Sequence, residues 1–127
     1  MGTIKSEARI TIKSEARIQQ ECVMAFHNKY RDLRGCLFAV PNGGARSITE
    51  GALLKKTGVV PGVSDLILLY NKRAWLFELK NALGYQSIYQ KKWQELMESQ
   101  GFRYMIYRDS DSFMNMISKI INNEIKM

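Results

Sequence analysis

Two apolar runs separated by a short polar break constrain this chain more than any other stretch. Leu66-Ile67-Leu68-Leu69-Tyr70 is followed by Asn71-Lys72-Arg73, and then by Ala74-Trp75-Leu76-Phe77-Glu78-Leu79-Lys80. Apolar runs of this length, joined by a polar turn, read as a β-hairpin. Side chains alternate across a strand, so Trp75, Phe77 and Leu79 take one face while Ala74, Leu76, Glu78 and Lys80 take the other. A carboxylate and an ammonium therefore stand side by side on a mostly apolar sheet. Burying charge there is costly unless the groups pair or hold a metal. If the loop is the two residues Asn71-Lys72, antiparallel register sets Asp65 opposite Glu78; a three-residue loop displaces Asp65 by one place. The sequence leaves both open.

The 127 residues suffice for one domain with a sizeable core, and 46% hydrophobic with 24% charged residues excludes a disordered chain. A net charge of +7 points to an anionic partner. No apolar run approaches the ~20 residues that span a bilayer, and no secretory signal opens the chain, so an intracellular protein that binds no membrane is expected. Cys22 and Cys36 are too few for a disulfide scaffold and lack metal-ligand spacing, which makes them reduced, buried thiols. A lone histidine, His27, excludes a His-rich zinc site.

Thr3–Ile10 is repeated without change at Thr11–Ile18. An undiverged octapeptide is not a structural repeat, so residues 1–10 are expected to form an arm outside the core and 11–127 the domain. Ser14 is placed to cap a helix running to about Arg31. At about 100° per residue, Glu15 falls on the same face as Cys22 and Phe26, with Ile18 nearby, so it projects from an apolar face. Cys36–Val40 reads as a short strand ended by the turn Pro41-Asn42-Gly43-Gly44, with Arg46 just beyond. Ile48–Lys56 reads as a short helix with Lys55 and Lys56 at its C-terminal end. Past the hairpin, Ser87 and Gln90 have capping-box spacing, opening a helix with an apolar face of Tyr89, Trp93, Leu96 and Met97. Phe102–Tyr107 reads as a strand. Asp109 to Asp111 then cap a final helix with Phe113, Met116, Ile117, Ile120 and Ile121 on its apolar face. This order of elements makes an α/β domain, a mixed central sheet flanked by helices.

Asp65 followed by Glu78-x-Lys80 resembles the PD-(D/E)xK nucleases, although that spacing alone has little specificity. A longer ordered set carries more. Ser14-Glu15…Ile18-Gln19, Pro41-Asn42-Gly43-Gly44…Arg46, Gly58…Pro61-Gly62-Val63-Ser64-Asp65, Glu78-Leu79-Lys80 and Gly84…Ser87…Gln90…Trp93 together resemble the virus-type replication-repair nuclease (VRR-NUC) family. Ser64 departs from it, since the family often has proline there.

The resemblance implies a restriction-endonuclease-like core that hydrolyses phosphodiester bonds in branched DNA, above all four-way (Holliday) junctions, with a role in DNA repair. Asp65, Glu78 and the Leu79 backbone carbonyl would bind Mg²⁺ or Mn²⁺, with Glu15 joining directly or through a water. Lys80 would orient or help deprotonate the attacking water, and Gln90 would steady the site. Arg46, Lys55, Lys56, Lys91 and Lys92 would contact the DNA backbone. A homodimer is expected, with no small-molecule organic cofactor. A flap-directed nuclease and a non-cutting DNA-binding module of the same fold are the alternatives, beside an interaction domain in which Glu78 and Lys80 merely pair.

Overall fold

The computed structural model describes residues 11–41 and 48–125. The elements run α1 (Glu15–Lys29), β1 (Leu37–Ala39), α2 (Ile48–Lys56), β2 (Leu66–Tyr70), β3 (Arg73–Leu79), α3 (Ile88–Ser99), β4 (Arg103–Tyr107) and α4 (Ser110–Ile121), with a 3₁₀ turn at Arg31–Leu33 after α1. This matches the order of elements read from the sequence. The expected N-terminal arm lies outside the described residues.

The strands form one sheet in the order β1-β2-β3-β4, the first two pairings antiparallel and the last parallel. The hairpin closes at Tyr70↔Arg73 around a two-residue turn, with Asn71 at φ 55° and Lys72 at φ 66°. Two successive left-handed residues make a type I′ turn, whose twist suits the flanking strands. Asparagine tolerates that conformation well, while Lys72 adopts it at some cost. The parallel β3–β4 pair needs a crossover, and the segment containing α3 provides it.

One face of the sheet is a dry core. Leu37, Leu66, Leu68, Trp75, Phe77 and Leu79 are buried there beneath two helices. α1 contributes Ile18, Cys22 and Phe26, four residues apart, and α4 contributes Phe113, Ile117 and Ile120. This spacing sets each trio on a single helix stripe. Both helices start on side-chain caps: Ser14 Oγ accepts from the Arg17 N–H and Asp109 Oδ1 from the Ser112 N–H. The Phe77 and Phe113 rings meet edge to face, centroids 5.0 Å apart. Met114 and Met116 pack against this core, and Cys22 lies within it, a free thiol pushed up to about 12 by burial. Cys36 is also free and half-buried.

The opposite face is covered less completely. Trp93 of α3 packs edge to face on Tyr104, yet no residue of α3 is fully buried. Its apolar stripe exists as the sequence suggested, but Tyr89 and Leu96 remain exposed.

Candidate functional site

The ladder pairs Leu66 with Phe77, so one step further Asp65 stands opposite Glu78. The two-residue turn thus decides the register in favour of a convergent pair. Asp65 is held on both sides: its backbone carbonyl accepts from the Val40 N–H at 2.9 Å, and its Oδ2 accepts from the Leu79 N–H at 2.6 Å. In an extended strand a residue's N–H and C=O point to the same side, so the Leu79 carbonyl shares the edge that faces Asp65. Ser64 is buried, and its hydroxyl donates to the Leu66 carbonyl. Gly62, at φ 84°, presses its backbone against Tyr89 and Gln90; a β-carbon there would lie 2.4 Å from the Tyr89 backbone. That close approach needs glycine, and it fixes the start of α3 beside the Asp65 strand.

Glu78 is fully buried. Its Oε1 accepts from the Tyr104 hydroxyl and from Gln86 Nε2 at 3.1 Å, while Gln86 also donates to Gln94 Oε1 at 2.8 Å. Its Oε2 is buried with no hydrogen-bond partner. A carboxylate oxygen in that position is expensive unless something positive faces it. Lys80 Nζ lies 3.7 Å away, an ion-pair distance too long for a direct hydrogen bond.

Lys80 is itself buried, beside Glu78 on the β3 face that alternation predicts. Its Nζ donates to Gln90 Oε1 at 3.0 Å and stands 4.0 Å from Glu15 Oε1. Gln90 Oε1 also accepts from the Ser87 N–H at 2.8 Å, and Ser87 Oγ from the Gln90 N–H at 3.2 Å. Capping α3 and holding the lysine are therefore one contact, not competing roles. Glu15 enters from the first turn of α1, half-exposed above the lysine. Gly84 closes this corner, since a β-carbon on it would come within 2.7 Å of Glu15 Oε2.

Burial raises the Asp65 pKa; the Leu79 N–H opposes this, Glu78 adds to it, Lys80 lowers it and Glu15 raises it. Burial likewise pushes the Tyr104 phenol up, reinforced by Glu78, so it stays a hydrogen-bond donor at every working pH.

Five residues expected at the site thus converge: Glu15, Asp65, Glu78, Lys80 and Gln90. Lys55 and Lys56 lie exposed on α2, and Lys91 and Lys92 exposed on α3 next to Gln90. Arg46 falls outside the described residues. Sequence reasoning passed over Tyr104, read only as a strand residue, and Gln86, read only as part of the loop after the hairpin. Alternation along the strand separates Tyr104 from Arg103 and Met105, but the parallel pairing with Leu76 that puts it on the Glu78 face is set by the fold.

Among the described residues no three His, Cys, Asp or Glu side chains cluster as a metal cage. The donors present are two carboxylates, one with an orphaned buried oxygen, and a main-chain carbonyl on the same edge. That set fits a hard cation of the Mg²⁺ type, which keeps several waters and takes one or two carboxylates.

No protein-family model matches the sequence, and no curated protein matches it. Among solved structures the chain is similar to a "VRR_NUC domain protein", with a TM-score of 0.68 at 19% identity over 88% of this chain and 91% of that one. The four-stranded mixed sheet and its helices thus have that protein's fold.

Proposed function

We propose, from that shared fold and from the group of half-buried Asp65 with buried Glu78 and Lys80 on the open face of the sheet, that this chain is a metal-dependent DNA nuclease. The observation that carries the proposal is the Glu78 Oε2, buried without a hydrogen bond 3.7 Å from Lys80 Nζ. A structural ion pair has no use for an unbonded buried oxygen, whereas a cation-binding carboxylate needs one free.

Asp65 and Glu78 would hold Mg²⁺ or Mn²⁺ with the Leu79 carbonyl, and Glu15 would join directly or through a water. Bound there, such an ion acidifies water and neutralises phosphate charge. The rest belongs to the chain. Tyr104 and Gln86 hold Oε1 of Glu78, which turns Oε2 toward the site. Gln90 holds the Lys80 ammonium so that it faces Glu78 and Glu15, where it would orient the attacking water or help deprotonate it by stabilising the hydroxide that forms. Lys55, Lys56, Lys91 and Lys92 give affinity to the DNA backbone without reading bases. Branched DNA, four-way junctions above all, is the proposed substrate of a homodimer, whose two sites would meet two symmetric strands.

The test compares a labelled four-way junction, a 5′ flap and a linear duplex in Mg²⁺ and in Mn²⁺, with Lys80→Ala as control. Paired nicks in the junction that vanish in the variant support the proposal in full. Flap cutting alone keeps the chemistry and changes the substrate. Binding without cutting in either metal reassigns the chain to a non-cutting module. Independently of activity, saturating Mg²⁺ or Mn²⁺ raises the Tm of the native chain.

A further inference from the structure

The loop between β3 and α3 passes directly over the candidate site, and it is pinned from beneath. Arg108 Nη1 donates to the Asn81 carbonyl and, at 3.1 Å, to the Gly84 carbonyl. Asn81 Oδ1 accepts from the Leu83 N–H at 3.0 Å, and the Gly84 N–H donates to the Asn81 carbonyl at 3.2 Å. Gln86 reaches inward to Glu78, and Ser87 is locked into the capping box. Between these anchors the remaining side chains point out: Tyr85 is 88% exposed, and Leu83, Ile88 and Tyr89 are exposed as well. A loop held this firmly presents an apolar, aromatic edge to solvent, which a chain normally covers or avoids.

The position of the edge limits what covers it. Tyr85 follows Gly84, which packs on Glu15 and Lys80, and Tyr89 precedes Gln90, which holds Lys80. Both tyrosines are thus chain neighbours of residues that touch the site, and both are exposed. Lys91 and Lys92 are exposed on the same turn of α3, and Lys92 borders an apolar groove with Tyr89, Trp93 and Leu96. Lysines interleaved with open aromatic rings match a nucleic-acid strand whose backbone meets the charges and whose bases meet the rings. A regular duplex shows this edge only sugar and phosphate, because its bases are stacked on one another. Only unpaired or unstacked nucleotides offer an apolar face.

We propose that Tyr85 and Tyr89 form a stacking edge for unpaired or unstacked bases beside the scissile phosphate, so that the site takes strands whose stack is interrupted next to the cut. The inference rests on the nuclease reading and narrows its substrate class.

The experiment uses the full chain carrying Lys80→Ala, so that DNA is bound and not cut. Junction and flap DNAs carry 5-iodouracil beside the branch point, and photocrosslinked residues are mapped by mass spectrometry. Crosslinks at Tyr85 or Tyr89 are expected. Tyr85→Ala and Tyr89→Ala should weaken branched-DNA binding about 5- to 150-fold, the range for loss of a stacked base. Duplex affinity should hold, and Tyr85→Phe should restore branched binding. Crosslinks confined to other residues, or equal losses on duplex and branched DNA, overturn the stacking edge alone. So does an alanine variant that turns a dimer into a monomer without a crosslink, which would assign the edge to a second copy of the chain. Failure to bind any DNA overturns the edge and the nuclease reading together.

Discussion

β3 has two faces, and they are built by opposite rules. On one, Trp75, Phe77 and Leu79 sit under α1 and α4 with their apolar surface buried. On the other, Leu76 is followed by Glu78 and Lys80, both buried, under a helix that buries none of its own residues. The first face gains stability from buried apolar surface, and Trp75 Nε1 is its one buried polar side-chain atom without a hydrogen bond among the described residues. The second keeps a carboxylate oxygen without a hydrogen bond and raises the pKa of Asp65, arrangements that cost stability in isolation. One seven-residue strand therefore supplies both the stabilising contacts and the buried carboxylate that they tolerate.

The contrast can be broken from either side. On the charged face, Glu78→Ala should lower metal-dependent cleavage by about 10³-fold or more while the chain stays folded, since the loss is of cation and transition-state charge. Retained cleavage, with circular dichroism confirming a native fold, would remove Glu78 from the chemistry. On the dry face, Phe77→Ala should cost about 3–5 kcal/mol in denaturant unfolding, through the cavity it leaves against Phe113. Cleavage at temperatures well below the new midpoint should change little; a large kinetic loss there would mean the faces are coupled.

Tyr104→Phe acts between these extremes. It removes the hydroxyl donor to Glu78 Oε1 and leaves Gln86 in place. Metal affinity, read by titration calorimetry, should fall about 10- to 100-fold, as expected when a ligand loses its supporting hydrogen bond. Unchanged affinity would show that Gln86 suffices. Asp65→Asn sharpens the cost of the site in the metal-free protein. Because burial raises the Asp65 pKa, the folded state favours the neutral carboxyl and loses stability as pH rises through that pKa. Asparagine is neutral throughout and can still accept from the Leu79 N–H. The variant should match the parent in Tm well below the usual carboxylate range and exceed it at neutral pH; a pH-independent difference would contradict the raised pKa. The smallest effect lies at the far end of the hairpin, where Lys72→Gly relieves a left-handed lysine and should add about 1 kcal/mol. No gain there would mean the turn geometry is not strained.

Much of the fold was legible because it rests on local rules. The Ser14 and Asp109 caps, the alternation along β3 and the four-residue spacing of Ile18, Cys22 and Phe26 are visible in short windows of sequence. The pairing of Asp65 with Glu78 was legible only conditionally, because one extra loop residue shifts a whole strand. The partners of Glu78 were less legible still. Tyr104 lies 26 positions away, across a parallel crossover whose register no local pattern sets. The apolar stripe of α3 was readable as a pattern, but its exposure was not, since burial depends on what the rest of the chain places over it.

The sequence by itself determined which side chains share a face, where the helices begin, and that a glutamate and a lysine would stand together on the sheet. Periodicity and capping are short-range consequences of backbone geometry, so they need no knowledge of the whole. Tertiary structure alone decided that Glu15 of the first helix would reach Lys80, and that Tyr104 and Gln86 would hold one oxygen of Glu78 and leave the other unbonded. Those contacts join distant segments, and each depends on register, crossover and helix placement acting together.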